Sequence, residues 1–317
     1  MRTGFYFDPI YLQHDTGSHP ENAGRLQFLI ESMAKTSLLD ELQQGKARKA
    51  EVHEIQLIHE LNYIRSVEDA CAVGQQQYFG SMDCIISGKT YEAALHATGA
   101  ILDAVNQVAD QKLDNAFCAV RPPGHHAENS EAMGFCYFNN VAIAAEFLVK
   151  EKGYERVLIF DFDVHHGNGT QHSFEARNDI FYCSIHQDPR ICYPGTGYAS
   201  ERGVSDGTGY TLNCPMPPYS DDERYLQVFH NNILPVFQDY APDFILISAG
   251  FDAHRDDPLA QESLTVEGFD GMLEGMKTLA YHYAEGRMVS VLEGGYDYQA
   301  LSDSIQSHLE ILLKDPA

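Results

Sequence analysis

The chain has 317 residues, 44% of them hydrophobic, which is enough for a sizeable core in one large α/β domain or two ordinary ones. Its 21 Lys+Arg against 46 Asp+Glu give a formal charge of −25. That argues against direct nucleic-acid binding, which needs a basic patch, and it suits a cationic substrate or a basic protein partner. The seven cysteines are scattered without a Cys-x-x-Cys pair, so no zinc knuckle or redox motif is signalled. No segment approaches about 18 uninterrupted apolar residues, and no basic leader with an apolar run opens the chain. A reducing, cytoplasmic setting without a membrane partner is expected.

Residues 4–7 read as a first strand, and the turn-rich stretch from His14 to Asn22 leads into a helix carrying Arg25, Leu26, Phe28, Leu29 and Ile30. His14 and His19 are expected as solvent-facing loop histidines. Residues 54–72 predict a helix with His59 and Tyr63 on one face, four apart. A polar loop from Gly74 to Gly80 follows, with Asp83 in an irregular segment beyond it. Thr90 begins a long helix whose Leu95, Thr98, Leu102, Val105 and Val108 form a core stripe. Residues 117–120 predict a buried strand. Asn139 or Asn140 caps the next helix, and Gly153 stops it.

Residues 157–160 predict the next strand, and 180–185 another. Ser220-Asp221-Asp222-Glu223 reads as a capping box opening a helix to about residue 240. Strands at 244–249 and 289–292, a helix over 265–283, and a closing amphipathic helix with Leu301, Ile305, Leu309 and Leu312 complete the order. Strands alternating with long helices predict a mostly parallel sheet covered on both faces. No linker or repeat interrupts it, so residues 1–317 are expected to form a single domain.

The apolar strands end in unusual residues. Sites in open α/β sheets gather at the carboxyl ends of strands. The strand at 157–160 delivers Asp161, Asp163 and His165, which share one side of an extended chain. Carboxylates facing one way without a cation would repel one another. The plain alternative is a set of solvated acids. Pro122-Pro123-Gly124 stiffens the approach to His125 and His126. The strand at 244–249 delivers Asp252, and the last strand ends at Glu293-Gly294-Gly295-Tyr296. Asp163, His165 and Asp252 make an open three-ligand site of the catalytic kind, with a water in the remaining position. A neutral histidine beside that water would act as general base, and Tyr296 would donate to a developing oxyanion. The reaction class implied is metal-assisted hydrolysis of an amide.

Pro122-Pro123-Gly124-His125-His126-Ala127, the run Asp161 to Thr170 and Ser248-Ala249-Gly250-Phe251-Asp252-Ala253-His254 together resemble the histone deacetylase family, in its class II branch and bacterial relatives. The resemblance runs from the His14 loop to Tyr296. It implies the arginase–deacetylase α/β fold, with a central eight-stranded, mostly parallel sheet flanked by helices. It implies Asp163, His165 and Asp252 as ligands of Zn2+, with Fe2+ suited to the same donors. His125 and His126 match the tandem catalytic histidines, with His126 the proton shuttle and Asp161 the partner of His125. Asn168 stands where another branch has an aspartate. A neutral amide cannot raise the pKa of its histidine as a carboxylate would, so His126 is expected to rest neutral.

Gly134, Phe135 and Tyr193 match the walls of a narrow acyl-lysine channel, Leu259 its mouth and Asp83 a rim residue that holds substrate backbone. The family also implies two K+ sites. One uses Asp161, Asp163, His165, Ser184 and Ile185; the other uses Phe174, Arg177, Ile180 and Tyr210. For these, ordinary packing is the competing reading. His166, His186 and His254 are expected to pack or to support the site.

The expected substrate is an acyl-lysine peptide or protein. A small cationic acylated amine is the alternative within enzymes, opposed by Leu259, because the acetylpolyamine branch carries a glutamate there. An arginase-like binuclear hydrolase is opposed by Asn168. A non-catalytic acyl-lysine binding protein is opposed by the presence of Tyr296 and every metal ligand.

Overall fold

A computed structural model describes residues 1–315. Its strands are β1 (Thr3–Tyr6), β2 (Gln43–Gly45), β3 (Gln77–Phe79), β4 (Ser81–Ile86), β5 (Asn115–Cys118), β6 (Val157–Asp161), β7 (Ile180–Gln187), β8 (Thr211–Met216), β9 (Phe244–Ala249) and β10 (Met288–Leu292). The helices are α1 (Gly24–Met33), α2 (Leu38–Glu41), α3 (Val52–Ile55), α4 (Leu61–Ala72), α5 (Thr90–Ala109), α6 (Asn140–Lys150), α7 (Asn168–Phe174), α8 (Asp222–Val228), α9 (Leu234–Tyr240), α10 (Val266–Tyr283) and α11 (Tyr298–Leu313). Among the described residues, eight strands form one parallel sheet in the order β2-β1-β5-β10-β9-β6-β7-β8.

The inner strands β5, β6, β9 and β10 are buried along their whole length. They read as unbroken apolar runs because helices cover both faces of a parallel sheet. Helices α5 and α6 pack together over the inner strands, and α1, α10 and α11 form a second packed group. The expected core stripe of α5 is fully buried. Asn139 caps α6 by accepting from the Ala142 N–H at 3.0 Å. No described helix is long and apolar enough to cross a membrane.

Several local expectations change. The glutamine-rich loop contains β3, which pairs antiparallel with β4, so Asp83 lies on a hairpin strand. His59 precedes α4, yet its ring still lies 5.5 Å from that of Tyr63. Asp221 caps α8 through the Arg224 N–H, while Ser220 bonds back to the Pro217 oxygen. The helix to residue 240 is interrupted by a π turn at 229–233, next to Pro235, which has no N–H to give. His14 is buried, its Nδ1 paired with the Thr90 hydroxyl at 2.8 Å. His19 sets its ring edge-on to Phe135 at 4.4 Å.

Candidate active site

Strands β5, β10, β9 and β6 are consecutive neighbours in the sheet, so their carboxyl ends converge. This adjacency brings together residues more than a hundred positions apart. Asp163, His165 and Asp252 each offer one donor atom, all within 4.8 Å of one another. His165 Nδ1 stands 3.2 Å from an Asp163 oxygen and 3.1 Å from an Asp252 oxygen.

The backbone fixes both carboxylates from behind. Gly294 N–H donates to Asp163 Oδ2 at 2.8 Å, and Val164 N–H donates to Asp252 Oδ1 at 2.9 Å. A Cβ on Gly250 would sit 2.0 Å from Asp163 Oδ2, and one on Gly294 would sit 2.1 Å from Asp252 Oδ2. Both positions therefore require glycine for close approach. Two buried carboxylates and an imidazole nitrogen converging on one point, with their outer oxygens already bonded, suit a divalent cation.

His125 and His126 have different surroundings. His125 Nδ1 meets Asp161 Oδ2 at 3.0 Å, and Tyr182 donates to the same oxygen at 3.1 Å. Burial opposes the charge on His125, but Asp161, then Asp163, and Glu293 outweigh it and push the imidazolium up to about 10. His126 Nδ1 meets only an amide oxygen, Asn168 Oδ1, at 2.8 Å. Burial, and then the charges of His125 and His165, hold it well below the usual histidine range. The pair therefore holds one charged and one neutral ring, 4.0 Å apart.

Above them opens a cavity of about 250 Å³ bounded by Gly134, Phe135, Tyr193, Leu259, Asp83 and Tyr296, with His126 and His165 at its floor. Gly134 and Phe135 both take positive φ, +55° and +68°. A Cβ on Gly134 would sit 2.2 Å from the His126 ring, so glycine lets this turn press onto the histidine. Asp83 accepts from the Gly134 N–H at 3.1 Å and so ties the hairpin to the channel wall. The Tyr193 ring lies 5.1 Å from His126, and Phe135 lies 5.8 Å from Tyr296. Burial holds the Tyr296 phenol well above its usual range, so it remains a donor.

Asp161 and Ser184 are register partners on β6 and β7. The Arg177 N–H donates to the Phe174 oxygen at 2.9 Å, and Tyr182 N–H donates to the Tyr210 oxygen at 3.0 Å, next to Ile180. His166 bonds Thr196 and Gln171, and His186 bonds Ser184 and the Gly197 oxygen. Both tie the Tyr193 loop to the sheet, as supporting residues would. His254 lies beside Asp256, at the edge of the site.

A buried charged layer that the sequence does not announce lies beneath the site. Arg121 forks onto Glu21 and the Tyr11 oxygen. Arg25 donates to the oxygens of Gly295 and Glu293 and lies over the Tyr296 ring at 4.9 Å. Glu293 accepts from Gly124 N–H, His125 N–H and the Ser248 hydroxyl, which locks the histidine loop to β9. Asp257 accepts from the N–H groups of Tyr296 and Leu259, so it orients floor and mouth together. An acidic residue beside strand-end glycines was the available signal for Glu293, and the acidic pair Asp256-Asp257 before Pro258, in the loop after a strand, was the signal for Asp257. Nothing local marks Glu21.

A model of the histone deacetylase domain matches residues 19–312. The chain belongs to the histone deacetylase family. It is 36% identical to human histone deacetylase 9 over 98% of its own length, and 37% identical to a probable deacetylase of Archaeoglobus fulgidus over 94%. It spans about a third of the human relative, 34%, and 82% of the archaeal one. The crystal structure of the HDA15 HD domain superposes with a TM-score of 0.92 at 34% identity, covering all of this chain and 90% of that one. A single α/β domain with an eight-stranded parallel sheet is thus the family's fold and this chain's.

Proposed function

We propose that this deacetylase-family chain removes acetyl or other acyl groups from the ε-amine of acyl-lysine side chains by hydrolysis. The observation that carries the reading is the junction at the floor of one apolar channel: His165, clustered with the buried carboxylates of Asp163 and Asp252, lines the same space as a neutral histidine and a phenol. Asp163, His165 and Asp252 would hold the metal, Zn2+ or Fe2+, which supplies Lewis-acid polarisation of the acyl carbonyl and of the attacking water.

The chain's own residues supply the rest. Phe135 and Tyr193 clamp the aliphatic stem, and Gly134 forms the channel wall beside it. Asp83 at the rim accepts N–H groups of the substrate backbone, and Leu259 meets the residue outside the mouth. His126, neutral and with Nε2 free of Asn168, takes the proton of the attacking water and passes it to the departing amine. His125, held charged by Asp161, adds positive potential where negative charge develops. Tyr296 donates to the developing oxyanion. Potassium held near Asp161, Asp163, His165, Ser184 and Ile185, and near Phe174, Arg177, Ile180 and Tyr210, would stiffen the strand ends. The seven cysteines are all free thiols, which supports a cytoplasmic setting.

The substrate class is tested by offering the zinc-loaded protein an acetyl-lysine peptide and an N-acetylated polyamine at equal concentrations. The uncharged Leu259 at the mouth favours the peptide, with a higher kcat/KM. Preference for the polyamine would refute the assignment of Leu259.

A further inference from the structure

A carboxylate outside the channel reaches the general base through one amide. Asn168 Nδ2 donates to Glu128 Oε1 and, at 3.3 Å, to the main-chain oxygen of His126. Its Oδ1 faces His126 Nδ1 at 2.8 Å. Glu128 also accepts from His172 Nδ1 at 2.9 Å. Glu128 is about a quarter exposed and His172 about half exposed, their side chains 24% and 45%. The sequence His126–Asn168–Glu128–His172 therefore runs from the buried floor to the surface.

The two ends of an asparagine amide are nearly alike in shape, and only the surrounding donors and acceptors decide which end faces which way. An ionised carboxylate accepts and never donates. Glu128, with the longer bond to the His126 main-chain oxygen beside it, therefore fixes the NH2 group of Asn168 toward itself and leaves the amide oxygen for His126 Nδ1. An oxygen there requires a proton on His126 Nδ1. The lone pair must then be on Nε2, the atom a general base needs. A reversed amide would set its NH2 against Nδ1 and move the ring proton to Nε2, where it blocks proton acceptance. A ring held in the wrong tautomer is inactive as a base even when its geometry is intact.

The backbone is built to hold this arrangement. Glu128 N–H donates to the Glu131 oxygen at 3.0 Å, and the Asn129 side chain donates to the Ile58 oxygen at 2.6 Å. A Cβ on Gly169 would lie 2.1 Å from the Ala127 oxygen, so glycine lets α7 carry Asn168 against the histidine loop. We propose that Glu128 is a positioning residue: acting through Asn168, it selects the His126 tautomer that can accept a proton. The inference rests on the assignment of His126 as general base.

The test uses zinc-loaded protein with 15N-labelled histidine. Long-range 1H–15N spectra report which ring nitrogen carries the proton, whatever the substrate. The His126 signals are identified by their loss in His126→Ala. Wild type is expected to show Nδ1–H. Glu128→Ala is expected to populate the Nε2–H form and to lower kcat about tenfold or more, with KM nearly unchanged. In an Asn168→Asp background a carboxylate faces Nδ1 directly, so Glu128→Ala should cause no further loss. An unchanged His126 ring signature in Glu128→Ala overturns the proposal, as does an equal loss of kcat in both backgrounds. A wild type that turns over no acyl-lysine would refute the proposed activity, and the spectra would still decide the tautomer.

Discussion

Arg121 and Glu21 are both buried, and Arg121 is the two-pronged partner of a carboxylate that Arg25 Nη1 also meets at 3.2 Å. Burial raises the Glu21 carboxyl, but Arg121, and then His14, hold it well below the usual carboxylate range. Arg121→Leu removes both of its bonds to that carboxylate and leaves it with Arg25, and is expected to cost about 1.5–3 kcal/mol, read as a lower midpoint in urea unfolding. A change under about 1 kcal/mol would mean that Arg25 and His14 alone satisfy the Glu21 carboxylate. This pair was not legible in the sequence, because a lone Glu and a lone Arg a hundred residues apart look like surface charges. Asp163 and His165 were legible because an Asp-x-Asp-x-His run at a strand end is a local pattern. Asp252 needed one more step, that apolar strands of a parallel sheet present their ends together.

At the scale of elements, glycines decide how closely the strand-end loops approach. Gly250, just beyond β9, sits where a methyl group would collide with Asp163 Oδ2. Gly250→Ala is expected to weaken zinc binding about 10- to 100-fold in a competition titration against a chromogenic chelator, since it displaces a carboxylate that must meet the metal. Unchanged affinity would mean that Asp163 is not a ligand. The inner strands were readable as apolar runs. The edge strands β2 and β8 were not. Residues 43–45 contain no apolar side chain, and β8 carries Pro215 and partly exposed positions, which only an edge tolerates. The β3–β4 hairpin was hidden by its glutamines. Its pairing shows only in three dimensions, where it carries Asp83 to the channel.

For the whole molecule, acid stability follows from buried histidines. Burial depresses His59 to about 4 and His308 to about 3, from an ordinary 6.5. Between those values the unfolded chain binds more protons than the folded one. The contribution is therefore complete above pH 6.5 and is lost as pH falls toward 4. His308→Gln removes one such group, which does not line the channel, and is expected to flatten the acid limb of a plot of urea midpoint against pH. An identical slope in wild type and variant would contradict the burial argument. The charge of −25 bears on what the molecule meets rather than on how it folds. The alternation of strands and helices made the α/β class plain at this scale, while the sheet order had to be seen.

Metal-assisted deacylation is tested by acetate release from an acetyl-lysine peptide by the zinc-loaded protein and its Tyr296→Phe variant, each with and without a chelator. Tyr296 lines the same channel as His165, so its phenol is assigned to oxyanion stabilisation. Turnover is expected that chelation abolishes and that the variant lowers about 10²- to 10³-fold, while its folding stays intact. Chelator-insensitive turnover, or a variant as fast as wild type, would contradict this expectation.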